Sequence, residues 1–139
     1  MRKIIVASHD NLAKGIKDTI NYIMPNTLDI VAISAYTDNV PVELEIEKAI
    51  GEITEEDEVL VFTDLLGGSV NQGFIPYISR ENVHVITGVN LPVILTLLLS
   101  LNEEKIKQQQ IELAISEGQQ QIIYVNNHLK EQHLDEEDE

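Results

Sequence analysis

The chain contains no cysteine, which excludes disulfides, thiol chemistry and cysteine-ligated zinc. It has no tryptophan and only 4% aromatic residues against 43% hydrophobic ones, so any core must be built from Ile, Leu and Val. Basic residues are scarce. Nine Lys and Arg face 24 Asp and Glu, giving a formal net charge of -15. That balance argues against a nucleic-acid backbone as partner and against docking on an anionic membrane leaflet. Long apolar runs are missing too. The longest, Leu91–Leu101, has 11 residues and includes Pro92, Thr96 and Ser100, whereas a membrane-spanning helix needs roughly 20. The opening MRKIIVASHD is too short in apolar residues for a signal-peptide core. The expectation is a cytoplasmic protein without membrane insertion. No Walker loop, G-x-G-x-x-G or G-x-S-x-G is present, so nucleotide cradles and a hydrolase elbow are unsupported.

What is present alternates. The β-branched run Ile4–Ala7 reads as a strand buried on both faces. Leu12, Ile16, Ile20, Ile23 and Met24 then follow at helical spacing, stopped by Pro25 and Asn26. Leu28–Ile33, Val59–Thr63 and Val83–Thr87 read as further strands. Helices are expected from Val42 to Ile53, Ser69 to Ile78, Leu91 to Leu101, and Ile106 to a stop at Gly118. Gln121–Val125 reads as a last short strand, placed at the sheet edge or against a second subunit. The fold class is therefore α/β, an open, mostly parallel βαβ sheet with helices on both faces. One domain, 1–127, is followed by an acidic tail, 128–139, expected to be disordered. Lys130–Glu139 holds one base and six acids, a third of the excess charge.

Ligands of open parallel sheets bind beyond the carboxyl ends of the strands, and the chemically capable residues gather there. His9 follows strand one and precedes a helix, where a ring nitrogen is exposed and an anion is favoured by free amides. Histidine titrates near neutrality and serves as a covalent nucleophile; alone, a chance surface His is the commoner explanation. Asp64 ends strand three, near strand one. A carboxylate there selects the ring tautomer and frees the other nitrogen, though Asp also caps helices. Gly67, Gly68 and Ser69 suit an anion cradle, where glycines let backbone amides approach a phosphoryl group. A tight turn is the plainer reading. Tyr36 and Leu66 are candidate walls of the site or partner contacts. Asn90 is another, with helix capping the favoured alternative. Ser8 and Ser69 are weighed as hydrolase nucleophiles, without a supporting motif. His84 is read as a structural strand residue, and His128 and His133 as part of a solvated tail. No metal site is expected.

Three blocks at strand ends carry a resemblance. They are Ile4-Ile5-Val6-Ala7-Ser8-His9 with Leu12-Ala13-Lys14-Gly15, then Phe62-Thr63-Asp64-Leu65-Leu66-Gly67-Gly68-Ser69, then Gly88-Val89-Asn90-Leu91-Pro92. In this order they resemble the enzyme IIA component of the mannose-type sugar phosphotransferase system (PTS), over roughly residues 1–126. The resemblance implies a cytoplasmic homodimer whose C-terminal strand is exchanged. It implies that His9 takes a phosphoryl group from the phosphocarrier HPr and passes it to enzyme IIB, with the membrane components IIC and IID served indirectly. Asp64 would orient His9, Ser69 and nearby amides would contact the phosphoryl group, and no cofactor is implied.

Two positions depart from the family pattern. Asp10 stands where Gly usually follows the active His, and Val70 stands where Pro usually follows Gly-Gly-Ser. Two alternative readings share the fold: the phosphocarrier subunit of a phosphoenolpyruvate-dependent dihydroxyacetone kinase, and a non-catalytic regulatory module, which Asp10 alone favours.

Overall fold

The computed structural model describes residues 2–25, 28–51 and 53–137. Four strands form one sheet: β1 (Arg2–His9), β2 (Ile30–Ala35), β3 (Glu58–Thr63) and β4 (Val83–Ile86). Their order is β2-β1-β3-β4 and every neighbouring pair is parallel. Among the described residues six α-helices accompany them: α1 (Leu12–Ile23), α2 (Val42–Ile50), α3 (Ser69–Phe74), α4 (Leu91–Ser100), α5 (Gln108–Gln120) and α6 (Val125–Glu137). This is the α/β architecture expected from the alternating pattern.

The unbroken apolar strands are explained by two cores, one on each face. Along β1, Ile4 and Val6 join Leu60 and Phe62 of β3 in a core covered by α1, α4 and α5. Ile5 and Ala7 point the other way, joining Val59 and Val61 beneath α2 and α3. A period of two with both faces covered therefore yields a continuous hydrophobic run. Phe62, Ile94 and Leu97 in the first core and Ile46 and Phe74 in the second are sealed from solvent. Each such side chain stabilises the fold by roughly 1.5–3 kcal/mol through burial. Val70, one of the two departures from the pattern of the resemblance, is fully buried in the second core.

Several boundaries differ from the sequence reading. β2 is displaced to Ile30–Ala35, where it pairs with β1 in register, Ile4 opposite Ile30 and His9 opposite Ala35. The expected helix Ser69–Ile78 ends at Phe74 and tightens into a 3-10 turn over Ile75–Tyr77. Pro76 has no amide proton to continue the α-helical ladder. Gly118 does not stop α5, which runs to Gln120. A Cβ at Gly118 would lie 2.7 Å from Val93 Cβ and 3.0 Å from Asn90 Oδ1, so this glycine lets α5 close on α4.

The expected strand Gln121–Val125 is absent. Ile122–Tyr124 is irregular, and Val125 opens α6. A strand exists only through its ladder partners, and among the described residues this segment pairs with no strand. Within the acidic segment 128–139 expected to be disordered, residues 128–137 lie in α6. Residues 138 and 139, with the side chain of His133, lie outside the described residues.

Candidate functional site at the strand carboxyl ends

From β1 the chain moves outward to β2 and then returns to the other side of β1 for β3 and β4. The crevice between β1 and β3 is thus the switch point of the sheet, where parallel α/β folds place ligands. His9 is the last residue of β1, and Asp64 immediately follows β3. The register of the two strands, Ala7 opposite Thr63, sets them side by side.

One carboxylate oxygen locks the histidine. Asp64 Oδ2 accepts from the His9 backbone N–H at 2.8 Å and lies 2.9 Å from His9 Nδ1. Asp64 Oδ1 accepts from the Leu65 N–H at 2.9 Å. Burial pushes the Asp64 carboxyl up, but the hydrogen bonds from the His9 amide and ring, with the ring's charge, outweigh it. The result lies below the ordinary carboxylate range. An ionised Asp64 can only accept, so Nδ1 carries the proton and Nε2 presents its lone pair. The His9 side chain keeps 36% of its surface exposed and that of Asp64 only 11%, so the imidazole is open to solvent while the carboxylate beside it is shielded.

Around Nε2 stand three further groups. Ser69 Oγ lies 3.5 Å away. The Tyr36 hydroxyl hydrogen-bonds Ser69 Oγ, and the Tyr36 ring stacks beside the imidazole at 5.7 Å between centroids. Gly68 passes so close that a Cβ there would sit 2.8 Å from His9 Cε1. Glycine is thus required by the approach of the loop to the ring.

Two residues leave their strands through left-handed backbone: Asp10 after β1, with φ 53°, and Tyr36 after β2, with φ 67°. The Asp10 N–H donates to the Ala35 carbonyl at 2.8 Å, tying the two exits together. Position 10 favours glycine for this reason. Aspartate is among the few side chains that tolerate it. Asp10 is exposed.

Other candidates resolve differently. Ser8 is buried, accepts from the Ala13 N–H at 2.7 Å and donates to the Asp10 carbonyl at 3.2 Å, so its hydroxyl is spent on the β1–α1 turn. Asn90 caps α4 by accepting from Val93 N–H, and donates to the Gly118 carbonyl at 2.7 Å. It therefore braces α4 against α5. Leu65 and Leu66 are 59% and 71% exposed on the loop leading to Ser69, and Gly67 is exposed beside them.

Sequence reasoning missed Asn71. It is buried, accepts from Thr63 Oγ1 at 3.0 Å and donates to the Leu66 carbonyl at 3.1 Å. It ties the end of β3 to the 64–68 loop from inside α3. Nothing in its sequence context marks it, because the bonds depend on the loop folding back over the helix. Asn71→Leu leaves Thr63 Oγ1 and the Leu66 carbonyl without these partners. It should lower stability by about 1–3 kcal/mol, read as a lower thermal midpoint; an unchanged midpoint refutes the bracing role.

A separate concavity lies elsewhere. A cleft of about 830 Å³ opens at the amino-terminal ends of β3 and β4, lined by Glu58, Arg80, His84 and Lys105 among others. Burial pushes the His84 imidazole down, partly countered by Glu58. Glu58 is already bound to Arg2 at 3.1 Å and to the Ile106 N–H at 2.7 Å. The His9 site lies at the opposite end of the sheet, with the His9 side chain 36% exposed.

Residues 3–113 match the family EIIA-man, described as the PTS system fructose IIA component. The chain is 23% identical over 133 residues to the PTS system fructose-specific EIIA component of Bacillus subtilis (strain 168), covering 94% of this chain and 90% of that one. A crystal structure from Klebsiella pneumoniae, of a proposed phosphoenolpyruvate-dependent sugar PTS permease, is 32% identical with a TM-score of 0.85, covering 92% of this chain and 93% of that one. The PTS IIA protein associated with the fucose utilization operon of Streptococcus pneumoniae is 28% identical with a TM-score of 0.76, covering 92% and 96%. With a family match spanning most of its length and a His–Asp pair at the switch point of its sheet, the chain belongs to the EIIA-man family of PTS IIA components.

Proposed function

We propose that the protein is a cytoplasmic phosphocarrier that accepts a phosphoryl group from phospho-HPr on His9 Nε2 and passes it to enzyme IIB. The observation that carries this reading is the double contact of Asp64 Oδ2 with the His9 amide and Nδ1, which leaves Nε2 as the open nucleophile. The Nε2 lone pair attacks phosphorus as the bond from phosphorus to the donor's histidine nitrogen breaks. The bonding electrons return to that nitrogen. Positive charge developing on the His9 ring is held by Asp64 through Nδ1–H. Ser69 and the amides beside Gly67 and Gly68 contact the phosphoryl oxygens. Such transfer asks for positioning and charge stabilisation more than for covalent machinery. The exposed Leu65, Leu66 and Tyr36 supply apolar contacts for partners that visit in turn. Onward transfer serves the membrane components IIC and IID indirectly.

The test supplies phosphoenolpyruvate, enzyme I and HPr, then measures intact mass. One acid-labile phosphoryl increment is expected. Trypsin should confine it to the peptide from Ile4 to Lys14, in which His9 is the single histidine. A folded protein that gains no mass, or gains it on another peptide, rejects the reading.

The homodimer is proposed on two features. β4 is a four-residue edge strand, and Ile122, Ile123, Tyr124 and Val125 are exposed together just after α5. An open edge and an unpaired apolar segment suit reciprocal strand addition. Sedimentation should give twice the chain mass, falling to one chain mass on truncation after Gln120. A monomeric full-length chain would exclude the exchange.

A further inference from the structure

Tyr36 lies at the site, yet burial in a core does not account for it. It is 60% exposed, its backbone is left-handed, and its ring lies beside the imidazole with its hydroxyl on Ser69. The four side chains therefore form one chain of contacts: Tyr36 hydroxyl to Ser69 Oγ, Ser69 Oγ to His9 Nε2, His9 Nδ1 to Asp64.

We propose that Tyr36 is a positioning residue that sets the direction of the Ser69 hydroxyl proton. A phenol is a stronger acid than an alcohol and is the better donor, so Tyr36 donates to Ser69 Oγ. Ser69 must then direct its own proton elsewhere. In the resting protein it points to the Nε2 lone pair, supporting the tautomer that Asp64 selects from the far side of the ring. In the charged protein the same proton turns to a phosphoryl oxygen. Hydrogen bonds in such a chain polarise one another, so loss of the outermost donor weakens the innermost contact. The second half of this inference rests on the carrier reading. The first half, the resting orientation of Ser69, does not.

Because Tyr36 acts through Ser69, the test is a double-mutant cycle of Tyr36→Phe and Ser69→Ala, which keeps the stacked ring. Phosphoryl uptake from phospho-HPr should fall about three- to tenfold in Tyr36→Phe, the scale of one hydrogen bond. The same substitution should change nothing further once Ser69 is Ala. In parallel, the imidazole nitrogens of His9 are followed by NMR in the unphosphorylated protein. Tyr36→Phe should move the Nε2 resonance in the native background and leave it unmoved in the Ser69→Ala background. An Nε2 signal indifferent to Tyr36→Phe overturns the proposal, as does a loss of uptake equally large with Ser69 removed. If the unmodified protein takes up no phosphate while the Nε2 coupling is present, the carrier reading fails and the Tyr36–Ser69 device stands.

Discussion

On the proposed carrier function, asparagine in place of Asp64 should lower the rate of phosphoryl uptake at His9 by about a hundredfold or more. The carboxylate meets three donors: the His9 amide and Nδ1–H at Oδ2, and the Leu65 amide at Oδ1. Asparagine offers one acceptor oxygen and one NH2 group. Turned one way, the NH2 faces the His9 donors and drives the ring to the tautomer with its proton on Nε2, removing the nucleophilic lone pair. Turned the other way, it opposes the Leu65 amide and leaves the ring's developing charge without an anion. Loss of a tautomer-setting carboxylate costs about ten-thousandfold in a serine protease, and general acid–base placement is worth about 10²–10⁴-fold. Rapid-quench transfer from phospho-HPr measures the effect, and a rate within about twofold of the parent would sink it.

The same contacts give a pH signature. Asp64 is held below the ordinary carboxylate range in the folded protein, so its unfolded-state value is the higher one. Its contribution to stability is present above that unfolded value, near about pH 4, and is lost as pH falls through the folded one. Thermal midpoints of parent and Asp64→Asn should therefore differ most at neutral pH and converge in acid. A gap that widens on acidification contradicts the assignment.

Alanine at position 68 should cost about ten- to a hundredfold in uptake with little change in stability. Its Cβ would meet His9 Cε1 at 2.8 Å and Leu65 Cβ at 3.3 Å. The ring cannot yield freely, because Asp64 holds Nδ1 and Tyr36 lies alongside. Either the Asp64 bond lengthens or Nε2 turns from the incoming phosphorus, and misplacement of about 1 Å can cost about a hundredfold in rate. The backbone is not the obstacle. Gly68 adopts φ -80° and ψ 153°, an extended conformation open to any residue. Activity and thermal midpoint should thus separate, and a normal rate in a folded Gly68→Ala protein would show that the loop has slack.

Much of the candidate site's arrangement was legible because its residues sit at the ends of recognisable strands. Ile4–Ala7 and Val59–Thr63 announce buried strands by their unbroken apolar character, and a parallel sheet puts the residues after both at one edge. His9, Asp64 and Ser69 follow from that logic. Asn71 did not, since an amide inside a short helix has no signature until the loop folds over it. Asn90 showed the opposite ambiguity. Its place after β4 fitted both a site wall and a cap, and the bond to Gly118 made it the brace between α4 and α5.

By itself the amino-acid pattern determined the alternation of strands and helices, the aliphatic core and the residues at the strand ends, because burial periodicity and turn residues are written locally. Only the tertiary structure decided the order β2-β1-β3-β4, which residue approaches which nitrogen, and the fate of the C-terminal segment. Those depend on register, on left-handed exits at Asp10 and Tyr36, and on pairing partners distant in the chain. The Gln121–Val125 stretch makes the reason plain: its composition suits a strand, but a strand forms only where another offers its edge.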